Sequence, residues 1–253
     1  MIQPLTHDQV ERFRRDGFLI VRGMYGPKAM ARIAAWTAQI AGYPEIAGKY
    51  MMYFEASRLE PSERLLNRIE NFCPYHAGFD ALLNGPGLRD AVAQLFGAPA
   101  VLFKDKINFK LPGGDGFTPH QDVQAGWDRY ASLHITALVS IDAATRDNGC
   151  LELVAGRHRE GLLGPHWAPL PQEVVETLDF VPCETAPGDV VFFDSYTPHR
   201  SAPNVSPRPR RVLYVTYNRL EEGDHRARYY ADKRKSYPPD CEREPGKEYV
   251  FRV

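Results

Sequence analysis

The chain has 253 residues, with 31 Lys and Arg against 32 Asp and Glu and a formal net charge of −1. It therefore lacks the net field that draws proteins onto nucleic acid or anionic membrane, and a small-molecule partner is expected. Its length allows one large β-type domain or two small ones, and 43% hydrophobic residues with 20 Gly and 21 Pro describe a globular chain rich in turns, not a disordered one. Cys73, Cys150, Cys183 and Cys241 stand far apart with no CxxC pair, so they read as free, mostly packed thiols and not as a zinc or redox motif. The start, MIQPLTHDQVERF, lacks the pattern of a signal peptide, and no run approaches 18 apolar residues, so a cytoplasmic location is expected.

Helical signals crowd the first hundred residues. Thr6, Val10, Phe13 and Gly17 predict a short capped helix leading into a strand at Phe18 to Val21. Pro27 opens a second helix with Met30, Ile33, Ala34 and Ile40 on or near one face, and a third covers Leu88 to Phe96 and stops at Gly97. After residue 100 the period becomes alternating, with Val101, Phe103, Ile107 and Phe109 set against Lys104, Lys106, Asn108 and Lys110. Further strands are expected at Leu133 to Ile141, Cys150 to Val154, Phe180 to Glu184, Val190 to Phe193 and Arg211 to Asn218, separated by turn clusters such as RDNG and APGD. Short strands at this spacing suggest a sandwich or barrel. With no internal repeat or low-complexity linker, the expectation is a single domain: 1–99 as mainly helical support, 100–220 as the β core, and 221–253 as a charged, Pro-rich extension forming a helix and a surface tail.

The motif FTPHQDVQ places His120 and Asp122 two residues apart at the end of a strand-like run, so both side chains leave one face and reach one ion. HxD alone is a weak signal whose ordinary reading is a surface turn. A second segment strengthens it: an apolar strand ends at His199, another begins after Arg210, and a turn thus presents one more imidazole. Two histidines and a carboxylate on one face of an octahedral metal form the facial triad of non-haem Fe(II) oxygenases, leaving two positions for a 2-oxo acid and one for O2. A zinc hydrolase uses the same ligand types but has no use for the arginine that follows. The far carboxylate of chelating 2-oxoglutarate calls for a buried, bidentate guanidinium. Arg210 and Arg211 must point to opposite faces of their strand, so only one of them can serve.

The run from Lys104 to Asn218 resembles the phytanoyl-CoA dioxygenase family of iron and 2-oxoglutarate oxygenases. In that family HxD, a distal His, Ser two residues later and Arg eleven residues after the distal His supply the metal and co-substrate sites. His120, Asp122, His199, Ser201 and Arg210 stand at those positions. The HQD form with Gln121, the NGC turn at Asn148 to Cys150, the GDVVFF strand and the DGFLIVRG opening match as well, so the likeness covers nearly the whole chain. It implies a mainly β protein with flanking helices, a double-stranded β-helix (jelly roll, cupin-like). It also implies Fe(II), 2-oxoglutarate and O2, and hydroxylation of a C–H bond of a small organic metabolite with release of succinate and CO2. Related halogenases carry a small residue in place of Asp122, so the intact triad favours hydroxylation, with desaturation or ring formation left open. A metal-binding cupin-like isomerase or hydrolase and a catalytically silent binding protein are the alternative classes.

Other residues carry two readings each. Lys104, Lys106, Asn108 and Lys110 share a face whose ordinary explanation is solvation; the functional one, taken from the equivalent region of relatives, sets Lys106 and Asn108 near the co-substrate. Thr136, opposite the apolar set of its strand, is placed to bond a co-substrate carboxylate, while neighbouring His134 reads as a satisfied structural histidine. Trp127 and Tyr130 follow the HxD turn in a loop where relatives build the substrate pocket, with plain packing as the alternative. Glu55, Arg68 and Glu70, assigned to a helical region, either reach over the barrel mouth or are solvated. His158 and Glu160 imitate a second ligand pair and read as surface residues.

Overall fold

Thr6 caps helix α1 (His7–Asp16) in a reciprocal capping box with Gln9, and Gly17, at φ +80°, closes it in the left-handed conformation that glycine takes without strain. In the computed structural model, which describes residues 3–250, the chain then runs through β1 (Phe18–Val21), α2 (Pro27–Ala41), β2 (Met51–Ala56), β3 (Arg64–Glu70), α3 (Ala77–Asn84) and α4 (Leu88–Phe96). The second half follows as β4 (Ala100–Lys110), β5 (Phe117–His120), β6 (His134–Ser140), β7 (Leu151–Leu153), α5 (Gln172–Val175), β8 (Val181–Cys183), β9 (Val190–Asp194), β10 (His199–Ser201), β11 (Arg210–Arg219) and α6 (Arg226–Ser236).

The strands form two antiparallel sheets, one ordered β1-β9-β6-β11-β4-β3-β2 and the other β5-β10-β7-β8. Alternation along the larger sheet decides what each face meets. Ile135, Ala137 and Val139 of β6, Phe192 of β9 and Leu213, Val215 and Tyr217 of β11 face outward into a core built with Ile33, Ile40, Phe79, Leu83, Val92 and Leu95 of the helices. Each fully buried side chain of this kind contributes roughly 1.5–3 kcal/mol. On the inner face Leu138, Val191, Phe193 and Val212 pack against Leu151, Leu153 and Cys183 of the smaller sheet. The result is the jelly roll expected, with helices covering one sheet.

One expectation is corrected here. The segment holding Glu55, Arg68 and Glu70 is not helical but forms β2 and β3, which extend the larger sheet beside β4. Both faces near the end of β3 are covered, so Arg68, Ile69 and Glu70 are all buried and the polar-apolar alternation that marks a strand is absent.

β4 and β11 pair over their whole length, from Arg210 opposite Lys110 to Arg219 opposite Ala100. The register slips once: Thr216 faces Lys104 and Tyr217 faces Leu102, leaving Phe103 as the extra residue of a bulge. Phe103 joins a separate aromatic cluster with Trp127, Tyr130, Tyr229 and Tyr230. The C-terminal extension is thus more than a surface tail, because α6 buries Tyr229 against Phe103 and Trp127 and sets the Tyr230 hydroxyl on the Asp105 carbonyl at 2.9 Å.

Candidate active site

His120, Asp122 and His199 meet although they come from different elements. β5 and β10 pair so that His120 lies opposite His199, with ring centroids 4.2 Å apart. Asp122 is carried not by the strand but by the 3-10 turn Asp122–Ala125, so a change of backbone and not strand alternation brings it to the histidines. Asp122 Oδ1 stands 4.0 Å from His199 Nε2, and one donor atom from each residue lies within 4.8 Å of the others. Each imidazole is oriented by backbone: Nδ1 of His120 donates to the Thr118 carbonyl over 2.6 Å, and Nδ1 of His199 to that of Thr197 over 2.9 Å. This fixes the tautomer with Nε2 as a free lone pair, the form a metal needs.

Burial keeps both rings neutral. Desolvation, together with neighbouring His199, pushes His120 down to about 3, and desolvation lowers His199 as well. For Asp122 burial acts the other way, but His199, His120, Lys106 and Lys104 outweigh it and hold the carboxyl below its ordinary value. Thr136 Oγ1 lies 3.5 Å from Asp122 Oδ2 and 2.8 Å from Thr216 Oγ1, a short hydroxyl chain leading to the carboxylate.

The cleft around these three residues encloses about 470 Å³ of empty space, its mouth included, and is lined by Lys104, Lys106, Asn108, Trp127, Thr136 and Tyr214 among others. The face of β4 read as solvated is therefore corrected: Lys104, Asn108 and Lys110 are buried and look into the barrel. Burial lowers Lys106 to about 7 and Lys110 to about 6, their neighbours Lys104 and Arg210 adding to the respective effects. Lys110 Nζ donates to Ser201 Oγ over 2.7 Å and to the Ala202 carbonyl over 2.6 Å, which holds β10 to β4.

Of the two arginines, Arg211 turns outward and forms a bidentate pair with Asp142, at 2.8 Å for both nitrogens. Arg210 turns inward on the face that carries Tyr214 and Thr216, is 1% exposed, and leaves Nε and Nη2 without a hydrogen-bond partner. A buried guanidinium with spare donors is costly unless an acceptor joins it.

The remaining expected residues divide. Gln121 is fully engaged elsewhere: its Nε2 donates to the carbonyls of Gly161 (2.8 Å) and Tyr196 (2.6 Å) while its Oε1 accepts from Leu163 N (2.7 Å), so it braces the loops and turns no group to the cleft. Trp127 lines the inner cleft, whereas Tyr130 donates to Asp232 and lines a larger outer cleft under α6. Glu55 lines neither cleft. Arg68 lines neither as well, but reaches Glu70 at 2.9 Å behind Lys104. His134 packs 4.4 Å from Phe103 in the aromatic cluster, and its Nε2 is buried without a partner, so it is structural but not satisfied. His158 is half-buried, not a surface residue. Tyr214, Thr216, Phe117 and Phe193 line the cleft unannounced; inward parity on β11 counted back from Arg210 would have found the first two.

A jelly roll that gathers imidazole, carboxylate and imidazole at one point, with open space beside them, defines a mononuclear non-haem iron oxygenase. The sequence pattern of the phytanoyl-CoA dioxygenase (PhyH) family matches residues 13–212, and the chain belongs to that family. It is a 2-oxoglutarate-dependent iron dioxygenase that hydroxylates a small metabolite. Relatives include 2-aminoethylphosphonate dioxygenase of uncultured bacterium HF130_AEPn_1, 42% identical over 96% of this chain and 93% of that protein. Methylphosphonate hydroxylase of Gimesia maris is 39% identical, covering 92% and 88%. Among solved structures, EctD from S. alaskensis with 2-oxoglutarate and 5-hydroxyectoine shares the fold at a TM-score of 0.74 and 20% identity, covering 87% of this chain and 78% of that one. No helix among the described residues is long and apolar enough to cross a membrane.

Proposed function

We propose that His120, Asp122 and His199 hold the iron, that Arg210 receives the far carboxylate of 2-oxoglutarate, and that the substrate is a small organic phosphonate hydroxylated on carbon. The observation that carries the site assignment is the pair of spare donors on buried Arg210, a demand that a carboxylate meets. Ser201, held by Lys110, and Tyr214, on the same face of β11 as Arg210, both line the cleft. The substrate class rests on the two phosphonate-acting relatives and on the cationic lining of the cleft.

When bound, iron would let O2 act as the oxidant, one oxygen atom converting C–H to C–OH and the other entering succinate as 2-oxoglutarate gives up CO2. The chain's own part is positional. Backbone carbonyls of Thr118 and Thr197 aim the imidazoles, Thr136 and Thr216 steady Asp122, and the walls of Trp127, Phe117 and Phe193 exclude bulk water.

The test is succinate formation with Fe(II), 2-oxoglutarate and O2, using methylphosphonate, 2-aminoethylphosphonate and ectoine as substrates. Phosphonate-dependent succinate and a hydroxylated product by phosphorus NMR are expected. Coupling to ectoine with none to either phosphonate overturns the substrate class.

A further inference from the structure

Lys104 stands where the two clefts meet: it lines the inner one with the triad and also the outer one beneath α6. The residue is 9% exposed, yet its ammonium makes no hydrogen bond to a described residue. Its nearest carboxylate oxygen, Glu70 Oε2, is 3.9 Å away. Glu70 does not turn to it because Lys233 Nζ already holds both carboxylate oxygens at 2.7 and 2.6 Å, and Arg68 Nε holds Oε1 at 2.9 Å. Three cations thus share one buried carboxylate. Lys104 is steadied instead by aromatic faces, 5.2 Å from the centroid of Trp127 and 5.6 Å from that of Tyr229.

Two neighbours bear on this. The indole Nε1–H of Trp127 is buried without an acceptor, and Lys106, next on the inward face of β4, lies against the rings of Tyr214 and Phe117, its nearest acid in the cleft being the triad carboxylate Asp122. This end of the cleft therefore offers an ammonium without a hydrogen-bond acceptor and an idle indole donor, both facing open space.

It is also a different station from the one at Arg210. On the β4–β11 ladder Arg210 faces Lys110 while Lys104 faces Thr216, six positions along β11. At about 3.3 Å per residue the two backbone positions are roughly 20 Å apart along the strand. The Arg210 end, proposed above for 2-oxoglutarate, and the Lys104 end are thus separate places on the ladder.

We propose that Lys104, with the Trp127 indole N–H as second donor, is the recognition site for the substrate's anionic headgroup, and that Glu70, Arg68 and Lys233 set the local charge so that a dianionic tetrahedral group is preferred to a neutral or singly charged one. This deepens the phosphonate reading given above and rests on it. The arrangement matches the chemistry of a phosphonate: its oxygens accept from an ammonium and an indole at once, and its second charge suits a cleft end lined by Lys104 and Lys106.

The experiment uses the protein loaded anaerobically with Fe(II) and 2-oxoglutarate. Methylphosphonate and 2-aminoethylphosphonate are titrated while the weak visible charge-transfer band is followed, and acetate and β-alanine serve as singly charged counterparts of their anionic ends. In Lys104→Met the phosphonate dissociation constant is expected to rise roughly 10- to 100-fold, the range of a lost hydrogen bond to a charged group, with 2-oxoglutarate affinity unchanged. Lys104→Arg is expected to recover part of the loss. Trp127→Phe keeps the ring that supports the lysine and removes only the donor. It is expected to weaken phosphonate binding by about 5- to 10-fold, and it provides the test if Lys104→Met does not fold. Phosphonate binding unchanged in the variants while the wild type binds overturns the assignment of Lys104 and leaves the phosphonate reading standing. Loss of 2-oxoglutarate affinity in Lys104→Met overturns it too, by moving the residue to the co-substrate site. If the wild type binds neither phosphonate, the reading fails and the inference with it.

Discussion

Arg226 of α6 forms an ion pair with Asp105, the fully buried carboxylate on the face of β4 turned away from the cleft. Asp105 Oδ2 also accepts the backbone N–H groups of Phe72 and Cys73, at 2.8 and 2.9 Å, so one carboxylate ties β4, the turn after β3 and the C-terminal helix together. Asp105→Asn strands a mostly buried guanidinium and is expected to cost about 3 kcal/mol, the lower end of the range for a broken buried pair. Urea unfolding monitored by tyrosine and tryptophan fluorescence would measure it, and a cost below about 0.5 kcal/mol would show that α6 is held by its aromatic contacts instead.

Replacing any one of His120, Asp122 and His199 by Ala is expected to weaken Fe(II) binding by more than the roughly 10- to 100-fold that loss of an outer-shell partner costs, and to remove substrate-dependent succinate formation. Anaerobic iron titration checks the first and coupled turnover the second. Thr136→Val keeps all three ligands and removes only the hydroxyl near Asp122, so its iron affinity should fall by no more than about 10-fold.

Arg210→Met is expected to raise the KM for 2-oxoglutarate by about 100-fold or more, since two charge-assisted hydrogen bonds at about 1.5–3 kcal/mol each are lost. Iron affinity should stay within about 3-fold of the wild type because Arg210 donates to no ligand residue. Arg210→Lys should restore less than half of the lost binding energy, an ammonium being unable to reproduce the planar fork. Equal KM values for 2-oxoglutarate in the wild type and Arg210→Met would place the co-substrate carboxylate elsewhere.

Asp194, at the end of β9, gives a stability prediction. Burial raises its carboxyl from the ordinary 3.8 to about 7, against the partial relief of the Tyr196 N–H that donates to it at 2.7 Å. The folded state therefore holds the proton more tightly than the unfolded chain. The stabilisation is fully present below about pH 4 and is lost as pH rises to about 7, on the order of 2–4 kcal/mol at 1.36 kcal/mol per unit. Asp194→Asn keeps an acceptor for Tyr196 and removes the titration. Its Tm should exceed that of the wild type at pH 8, and the advantage should shrink towards pH 5; an equal gain at both values would sink this account.

Where periodicity and chemistry agreed, the sequence was easy to read. The capped first helix, the strand at Phe18–Val21, the helix at Leu88–Phe96 and most strands after residue 100 follow from local signals that the fold leaves intact. The triad was readable for a different reason: HxD and a histidine before an arginine-led strand are rare enough together to mark a site, whatever the backbone does between them. Reading failed where tertiary burial overrides polarity. The lysines of β4 look solvated because nothing local shows that Trp127 and Tyr229 will cover Lys104, or that Phe117 will lie against Lys106 and Lys110 and Tyr214 against Lys106. Gln121 is a candidate site residue through the HQD form of the family resemblance, but backbone groups at 161–163 and 196 claim it, and those meet it only in the folded chain.

The bulge at Phe103 has a consequence for how such a cleft varies. A regular strand presents every second residue to one side, so its charged and aromatic inward positions compete for the same places. Dropping Phe103 out of the ladder sets it directly beside Lys104, with its ring 5.5 Å from Trp127 and 4.5 Å from Tyr229, while Leu102 and Thr216 keep the parity of an unbroken sheet. Phe103's share of the aromatic floor is thus a one-residue insertion into a ladder whose pairing resumes on both sides of it. A chain lacking it would close the same barrel with a shallower floor, which makes length at this position, and not only residue identity, a means by which proteins of this architecture change what they admit.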